Sequence, residues 1–163
     1  MIQLLNIYDA QEYSHHLLDA PEYSYHVLWD VLGERTPEQS ISHKKMPTYD
    51  EHVKFIQSRP YHAWYLVMYL PLGIVDQTTI AVGSVYVTRN REIGIFILKR
   101  YHGNGYGTQA LAELRRLHPG RLLANVNPLN TASCKFFAKH GAKMIQVTYE
   151  LEEQNGKATE TTG

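Results

Sequence analysis

The sequence predicts an α/β domain in which a mixed, mostly antiparallel sheet carries helices on both faces, in the order β-α-α-β-β-β-α-β-α-β. Three observations lead there. Between Tyr61 and Leu98 the apolar pattern leaves helical spacing and runs through three consecutive strand-like segments. A glycine-rich turn then opens an amphipathic helix that returns to a further apolar strand, a β-α-β crossover. The 163 residues, 44% hydrophobic and 20% charged, are enough for one domain with a sizeable core.

Taken in order, Ile2 to Tyr8 reads as a strand, and Asp9 to Ala20 is ambiguous, with a short helix as one reading. Pro21 suits a first helical position. Val27, Leu28, Val31 and Leu32 follow at helical spacing, and Gly33 can stop that helix. Thr36 to Lys45 reads as a loop. Thr48 and Glu51 form a capping box, in which hydroxyl and carboxylate each satisfy an amide of the other's turn. The helix it opens runs to about Ser58 with Val53 and Ile56 inward, and Pro60 ends it.

Tyr61 to Leu70, Thr78 to Thr88 and Glu92 to Leu98 are the meander, with a tight turn at Asn90 joining the last two. In the third strand Ile93, Ile95 and Ile97 share one face; Glu92, Gly94, Phe96 and Leu98 share the other. Tyr106 to Leu117 is a helix with a stripe of Leu111, Leu114 and Leu117. Pro119-Gly120 breaks it, and Arg121 to Val126 is a strand. Asn130 caps a helix to about His140, Gly141 stops it, and Ala142 to Leu151 is a last strand. Residues 1–151 are expected to form a single domain, and 152–163, almost without apolar residues, a frayed tail.

Composition narrows the function. With 16 basic and 16 acidic residues the formal net charge is +0, so no broad basic field exists to hold nucleic acid or an anionic membrane. No segment approaches the roughly 20 apolar residues of a membrane span, and the N-terminus does not read as a signal peptide. The single cysteine, Cys134, admits no intrachain disulfide, which points to a reducing, cytoplasmic setting. The nine histidines contain no metal-binding spacing, and no metal is expected.

The chemistry concentrates in His102-Gly103-Asn104-Gly105-Tyr106-Gly107-Thr108, between a strand and a helix. Three alternating glycines admit positive φ and close backbone approach. The free amides of the helix start favour an anion, best a phosphate or pyrophosphate. A dinucleotide fingerprint would need a third glycine where Thr108 stands and an acid where the next strand ends in Asn125-Val126-Asn127. A P-loop would need Gly-Lys-Ser/Thr, which does not occur.

Tyr101 through Leu111 resembles the acyl-CoA pyrophosphate loop of the GNAT superfamily of N-acyltransferases, with His102, Gly105 and Gly107 at its key places. His102 departs from the usual Gln or Arg. Asn127 through Ala142 resembles the family's following strand–helix segment, with Asn130 where the pantetheine arm is touched and Ser133 on the cofactor-facing side of the helix.

The resemblance implies a GNAT-like fold and acetyl-CoA as co-substrate. It implies cofactor contacts from Phe96, Ile97, Leu98, His102, Gly103, Asn104, Gly105, Tyr106, Gly107, Thr108, Asn130 and Ser133. It implies direct attack of an amine on the thioester, with the strand at Phe96 to Leu98 pairing with pantetheine and the amide of Ile97 at the oxyanion. Glu92 is the first candidate for the base that takes the amine proton, followed by His26, His43 and His52. The family's thiolate-protonating tyrosine is replaced by Phe137; Tyr106 and Tyr149 are the other tyrosines considered for that role. Cys134 has no base partner in the sequence and reads as a packing residue.

Glu92-Ile93-Gly94-Ile95 and the stretch from Ile41 to His52 are similar to branches that acetylate protein N-termini or amino sugars. The acceptor is thus a small amine, an amino sugar or a protein N-terminus. A non-catalytic acyl-CoA-binding or regulatory module stays open because of Phe137, and a different glycine-loop nucleotide binder is a third reading. After Gly141 about one strand remains where the family often has two, so a homodimer covering the sheet edge is also open.

Overall fold

One five-stranded sheet runs in the spatial order β1-β2-β3-β4-β5: β1 Ile2–Asn6, β2 Ala63–Tyr69, β3 Ile80–Val87, β4 Glu92–Ile97 and β5 Leu123–Ala124. Neighbours β1 to β4 pair antiparallel, and β5 joins β4 in parallel. The structure is a computed structural model and describes residues 1–9, 21–39, 45–71 and 79–149. The chain divides into two compact units, Met1–Asn130 and Thr131–Gly163.

In the first unit, α1 (Pro21–Gly33) and α2 (Tyr49–Gln57) cover one face of the sheet. Leu28 of α1 and Ile56 of α2 bury against Leu5, Trp64, Leu66, Met68 and Ala81. Each fully buried aliphatic side chain contributes roughly 1.5–3 kcal/mol. The capping box forms as the sequence predicts: the amide of Glu51 donates to Thr48 Oγ1 and the amide of Thr48 to Glu51 Oε2, at 3.3 and 2.7 Å. That carboxylate sits below its ordinary pKa because it accepts from the Thr48 amide.

Strand alternation sends Tyr65, Val67 and Tyr69 to the opposite face, which α3 (Tyr106–Leu117) covers. Tyr65 Oη lies 2.8 Å from His118 Nε2, just past the end of α3, and the Tyr69 ring lies 5.1 Å from that of Tyr106 at its start. The buried stripe of α3 is Ala110, Leu111 and Leu114; Leu117, expected inward, is 38% exposed. Leu117 lies in the last turn, and there the neighbouring contacts come from His118 instead.

A register shift sits opposite Val67/Met68: Val67 faces Gly83 and Met68 faces Ala81, leaving Val82 as the extra residue. Because of it, Ala81 joins the α1/α2 face together with Ser84 and Tyr86.

The β3–β4 turn has Arg89 and Asn90 at its centre, as expected, and is closed by the amide of Arg91 on Thr88 O at 3.0 Å; Arg91 itself is left-handed, with φ +65. Its guanidinium ties the turn to the segment after α3, donating to the carbonyls of His118, Pro119 and Arg121 at 3.2, 2.6 and 3.3 Å. Three such bonds outweigh a left-handed penalty of about 1–2 kcal/mol. The Arg91 carbonyl then accepts from Leu123 at 2.9 Å, which starts β5 beside β4.

In the second unit, α4 spans Thr131–Lys139, and Gly141 closes it at φ +81. The expected last strand does not form over residues 142–149. They are exposed throughout and pair with no strand among the described residues. An isolated extended segment has no ladder to stabilise it. Residues 150–163, with the end of that strand and the expected tail, lie outside the described residues, as do most of the ambiguous segment after Asp9 and five residues of the Thr36–Lys45 loop.

Candidate functional site

β4 carries the site, and its backbone polarity follows from its pairing with β3. Leu98 donates to Val82 O at 2.9 Å, and Thr88 donates to Glu92 O at 2.8 Å. Alternation between these two anchors directs the backbone groups of Gly94 and Phe96 toward β3 as well. The N–H and C=O groups of Ile93, Ile95 and Ile97 therefore point the other way. Only the first is met by β5, whose last pair with β4 is Ile93↔Ala124. Beyond it, the edge at Ile95 and Ile97 has no strand beside it among the described residues. Of the trio Phe96, Ile97 and Leu98, it is Ile97 that presents its amide to this edge. Ile95, which sequence reasoning missed, presents its amide beside it.

The glycine turn follows one turn of 3-10 helix, Lys99–Tyr101. Gly103 and Gly105 are left-handed, with φ +81 and +73. A Cβ built on either would meet nothing within 4 Å, so the turn lies open. Gly105 is the N-cap of α3, and the first amide bonded back to it is that of Gln109, at 3.1 Å. The amides of the helix start are unpaired by helix geometry and carry the positive dipole end.

Asn104 braces the turn by donating to the carbonyls of Tyr101 and His102 at 3.1 and 3.2 Å. His102 Nε2 lies 2.7 Å from Ile97 O and, since a carbonyl only accepts, carries the proton. The turn is thus bonded to the strand edge it adjoins. Tyr106 packs against Tyr69, and partial burial raises its phenol above the ordinary value. Gly107 and Thr108 follow in the first turn of α3.

Glu92 opens β4, half-buried, its amide accepted by Thr88 Oγ1 at 3.1 Å. It shares a face with Gly94 and Phe96. Gly94 is opposite Tyr86, whose ring lies where a Cβ on Gly94 would be. Tyr86 in turn stacks on Tyr61, with centroids 4.1 Å apart and planes within 7°. Burial pushes Tyr61 up to about 12 and raises Tyr86. This aromatic wall was not foreseen from the sequence, although a glycine inside a strand is a signal of close approach.

The other candidates are placed as follows. His52 is buried between α1 and α2, donates from Nε2 to Tyr25 O at 3.1 Å, and has its pKa lowered by that burial. His26 stacks on Tyr49 at 5.3 Å. His43 lies outside the described residues. Asn130 precedes α4, and Ser133, Cys134 and Phe137 lie within it. Phe137 packs edge-on against Phe136, and Tyr149 is 85% exposed. Among the described residues no helix is long and apolar enough to cross a membrane.

A family profile for the acetyltransferase (GNAT) domain matches residues 1–143. Among solved structures, a domain from Methanocaldococcus jannaschii DSM 2661 is similar with a TM-score of 0.60 at 20% identity, covering 92% of this chain and 93% of that one. An N-acetyltransferase from Staphylococcus aureus Mu50 is similar with a TM-score of 0.53 at 17% identity, covering 86% and 81%. At these identities the likeness is one of fold. Among curated proteins, none matches the chain in sequence.

Proposed function

Because the chain belongs to the GNAT acetyltransferase family, we propose that it transfers an acetyl group from acetyl-CoA to a primary amine by direct attack. The observation that carries this reading is an open left-handed glycine turn beside the edge of β4 at Ile95 and Ile97, which no strand pairs among the described residues, the two joined by the His102–Ile97 hydrogen bond.

The residues fit an acyl-CoA in chemical terms. Amides from Gly103 to Thr108 receive the pyrophosphate, which is the standard use of a helix N-terminus. The edge at Ile95 and Ile97 offers donors and acceptors that match the amides of a pantetheine arm. The Ile97 N–H is the candidate oxyanion donor. Asn130 and Ser133 are proposed as further contacts to the arm.

The amine enters from the Glu92 side of β4. A primary amine has a reference pKa of about 10.4, so it must lose a proton to become a nucleophile at neutral pH. Glu92 accepts that proton, directly or through one water. The C–N bond then forms, the C–S bond breaks, the nitrogen gives up its second proton to water, and the sulfur leaves as thiolate. Phe137 has no proton to donate. A thiol of reference pKa near 8.5 leaves acceptably without a dedicated acid, and water protonates it. Cys134, within α4, is left out of the transfer.

Phe137 also supports a second reading, an acyl-CoA-binding module without turnover. A panel of primary amines assayed for thiol release, with acetyl-CoA binding measured in parallel by calorimetry, separates them. Thiol release with at least one amine is expected. Tight binding with no release from any amine would favour the module, and no binding of acetyl-CoA would end both.

A further inference from the structure

Along β4 the residues from Gly94 to Ile97 remain half-exposed, whereas β3 beside it is buried at Ser84, Val85 and Val87. On the α1/α2 face this half-open shelf has three parts. Glu92 stands at one end, the Tyr61–Tyr86 stack covers Gly94 in the middle, and Phe96 lies at the other end. Over Phe96 stands the guanidinium of Arg35, 6.0 Å from the ring centroid.

Arg35 is half-buried, yet its side chain has no carboxylate or carbonyl partner among the described residues. The one ion pair among the described residues is Glu113–Arg116, on α3. A partly desolvated cation without a counter-ion is unfavourable and is corrected by any anion that can reach it. Its field reaches the shelf: burial raises the phenols of Tyr61 and Tyr86, and Arg35 opposes that rise in both. Glu92 acts on Tyr86 in the opposite sense, so the two charges bear on one ring from opposite signs. At about 3.3 Å per residue, the Cα atoms of Glu92 and Phe96 are roughly 13 Å apart.

We infer that Arg35 determines acceptor specificity: the acceptor carries an anionic group, a carboxylate or a phosphate, several bonds from its amine, and lies across the Tyr61–Tyr86 wall. This rests on the reading of Glu92 as the amine side of the site.

The test uses the full chain saturated with acetyl-CoA and three probes of one length: 6-aminohexanoate, 6-aminohexylphosphonate and n-hexylamine. Calorimetry reads their binding, and thiol release is followed separately. At least one anionic probe is expected to bind roughly 10- to 100-fold tighter than n-hexylamine, as for a charged hydrogen bond. Which of the two wins separates carboxylate from phosphate chemistry. Arg35→Gln is expected to erase that preference while leaving acetyl-CoA affinity unchanged, and Arg35→Lys to retain part of it. Equal binding of anionic and neutral probes, no binding of either anion, or an unchanged preference in Arg35→Gln would overturn the inference. So would a loss confined to acetyl-CoA. Arg35-dependent anion binding without thiol release would count against the transfer reaction and leave the anion site standing.

Discussion

His102 donates from Nε2 to the carbonyl oxygen of Ile97 across 2.7 Å, so the residue that opens the glycine turn is bonded to the strand edge the turn adjoins. The four intervening residues form a closed loop whose ends are held together by a side chain, so strand edge and turn present their donors as one surface. Losing one neutral hydrogen bond is worth about 0.5–1.5 kcal/mol. His102→Ala is therefore expected to weaken acetyl-CoA binding roughly 2- to 10-fold, and His102→Gln, which can still donate, to recover most of it. Calorimetry on the three proteins reads both effects.

Gly105 caps α3 at φ +73 with open space around its missing Cβ. Gly105→Ala is then a test of backbone strain alone and is expected to cost about 1–2 kcal/mol in a denaturant titration. Gly105→Glu adds a carboxylate where the proposed pyrophosphate lies, and acetyl-CoA binding should disappear. Retained affinity in that variant would contradict the assignment of the turn.

At Gly94 the added methyl meets the Tyr86 ring directly, and the ring cannot yield without leaving Tyr61. Gly94→Ala is expected to destabilise the fold by about 1–3 kcal/mol, the usual range for overpacking. The double variant Gly94→Ala with Tyr86→Ser should recover part of the loss, because the obstruction is removed. Urea midpoints of the single and double variants decide it.

Glu92→Gln keeps shape and removes the base. Turnover at pH 7 is expected to fall about 100-fold, with acetyl-CoA affinity unchanged. The deficit should narrow as pH rises toward the amine's reference value of about 10.4, where the substrate arrives already deprotonated. A deficit that stays constant with pH would mean that Glu92 positions the amine and does not accept its proton.

His52 and His118 are both lowered from the ordinary 6.5, each chiefly by burial. The unfolded chain therefore binds more protons than the folded one just below that value, and stability rises with pH through that window. Stability is expected to be full above about pH 6.5 and to decline as the pH falls below it. His52→Asn, which cannot charge, should flatten part of the slope in thermal melts between pH 7.5 and 5.

The helical segments were the more legible part of the fold. The Thr48–Glu51 box and the span Tyr106–Leu117 are where the sequence places them, because both depend on residues within one or two turns of each other. The meander is legible from period two, but its register is not. The extra residue at Val82 shifts Ala81 onto the α1/α2 face, and no local feature announces that. The strand expected from Ala142 does not form over residues 142–149: β-type residues do not make a strand without a neighbour to pair with, and these have none among the described residues.

By itself, then, the sequence determined where the chain turns, where it caps its helices, and that an anion-seeking glycine turn follows a strand. These are properties of φ angles and of hydrogen bonds a few residues long. Only the tertiary structure decided that Ile95 and Ile97 face the open edge of β4, that Tyr86 roofs Gly94, and that Arg35 stands over Phe96. Those relations join residues up to about sixty positions apart. They follow from strand register and side-chain packing, which local patterns constrain but do not specify.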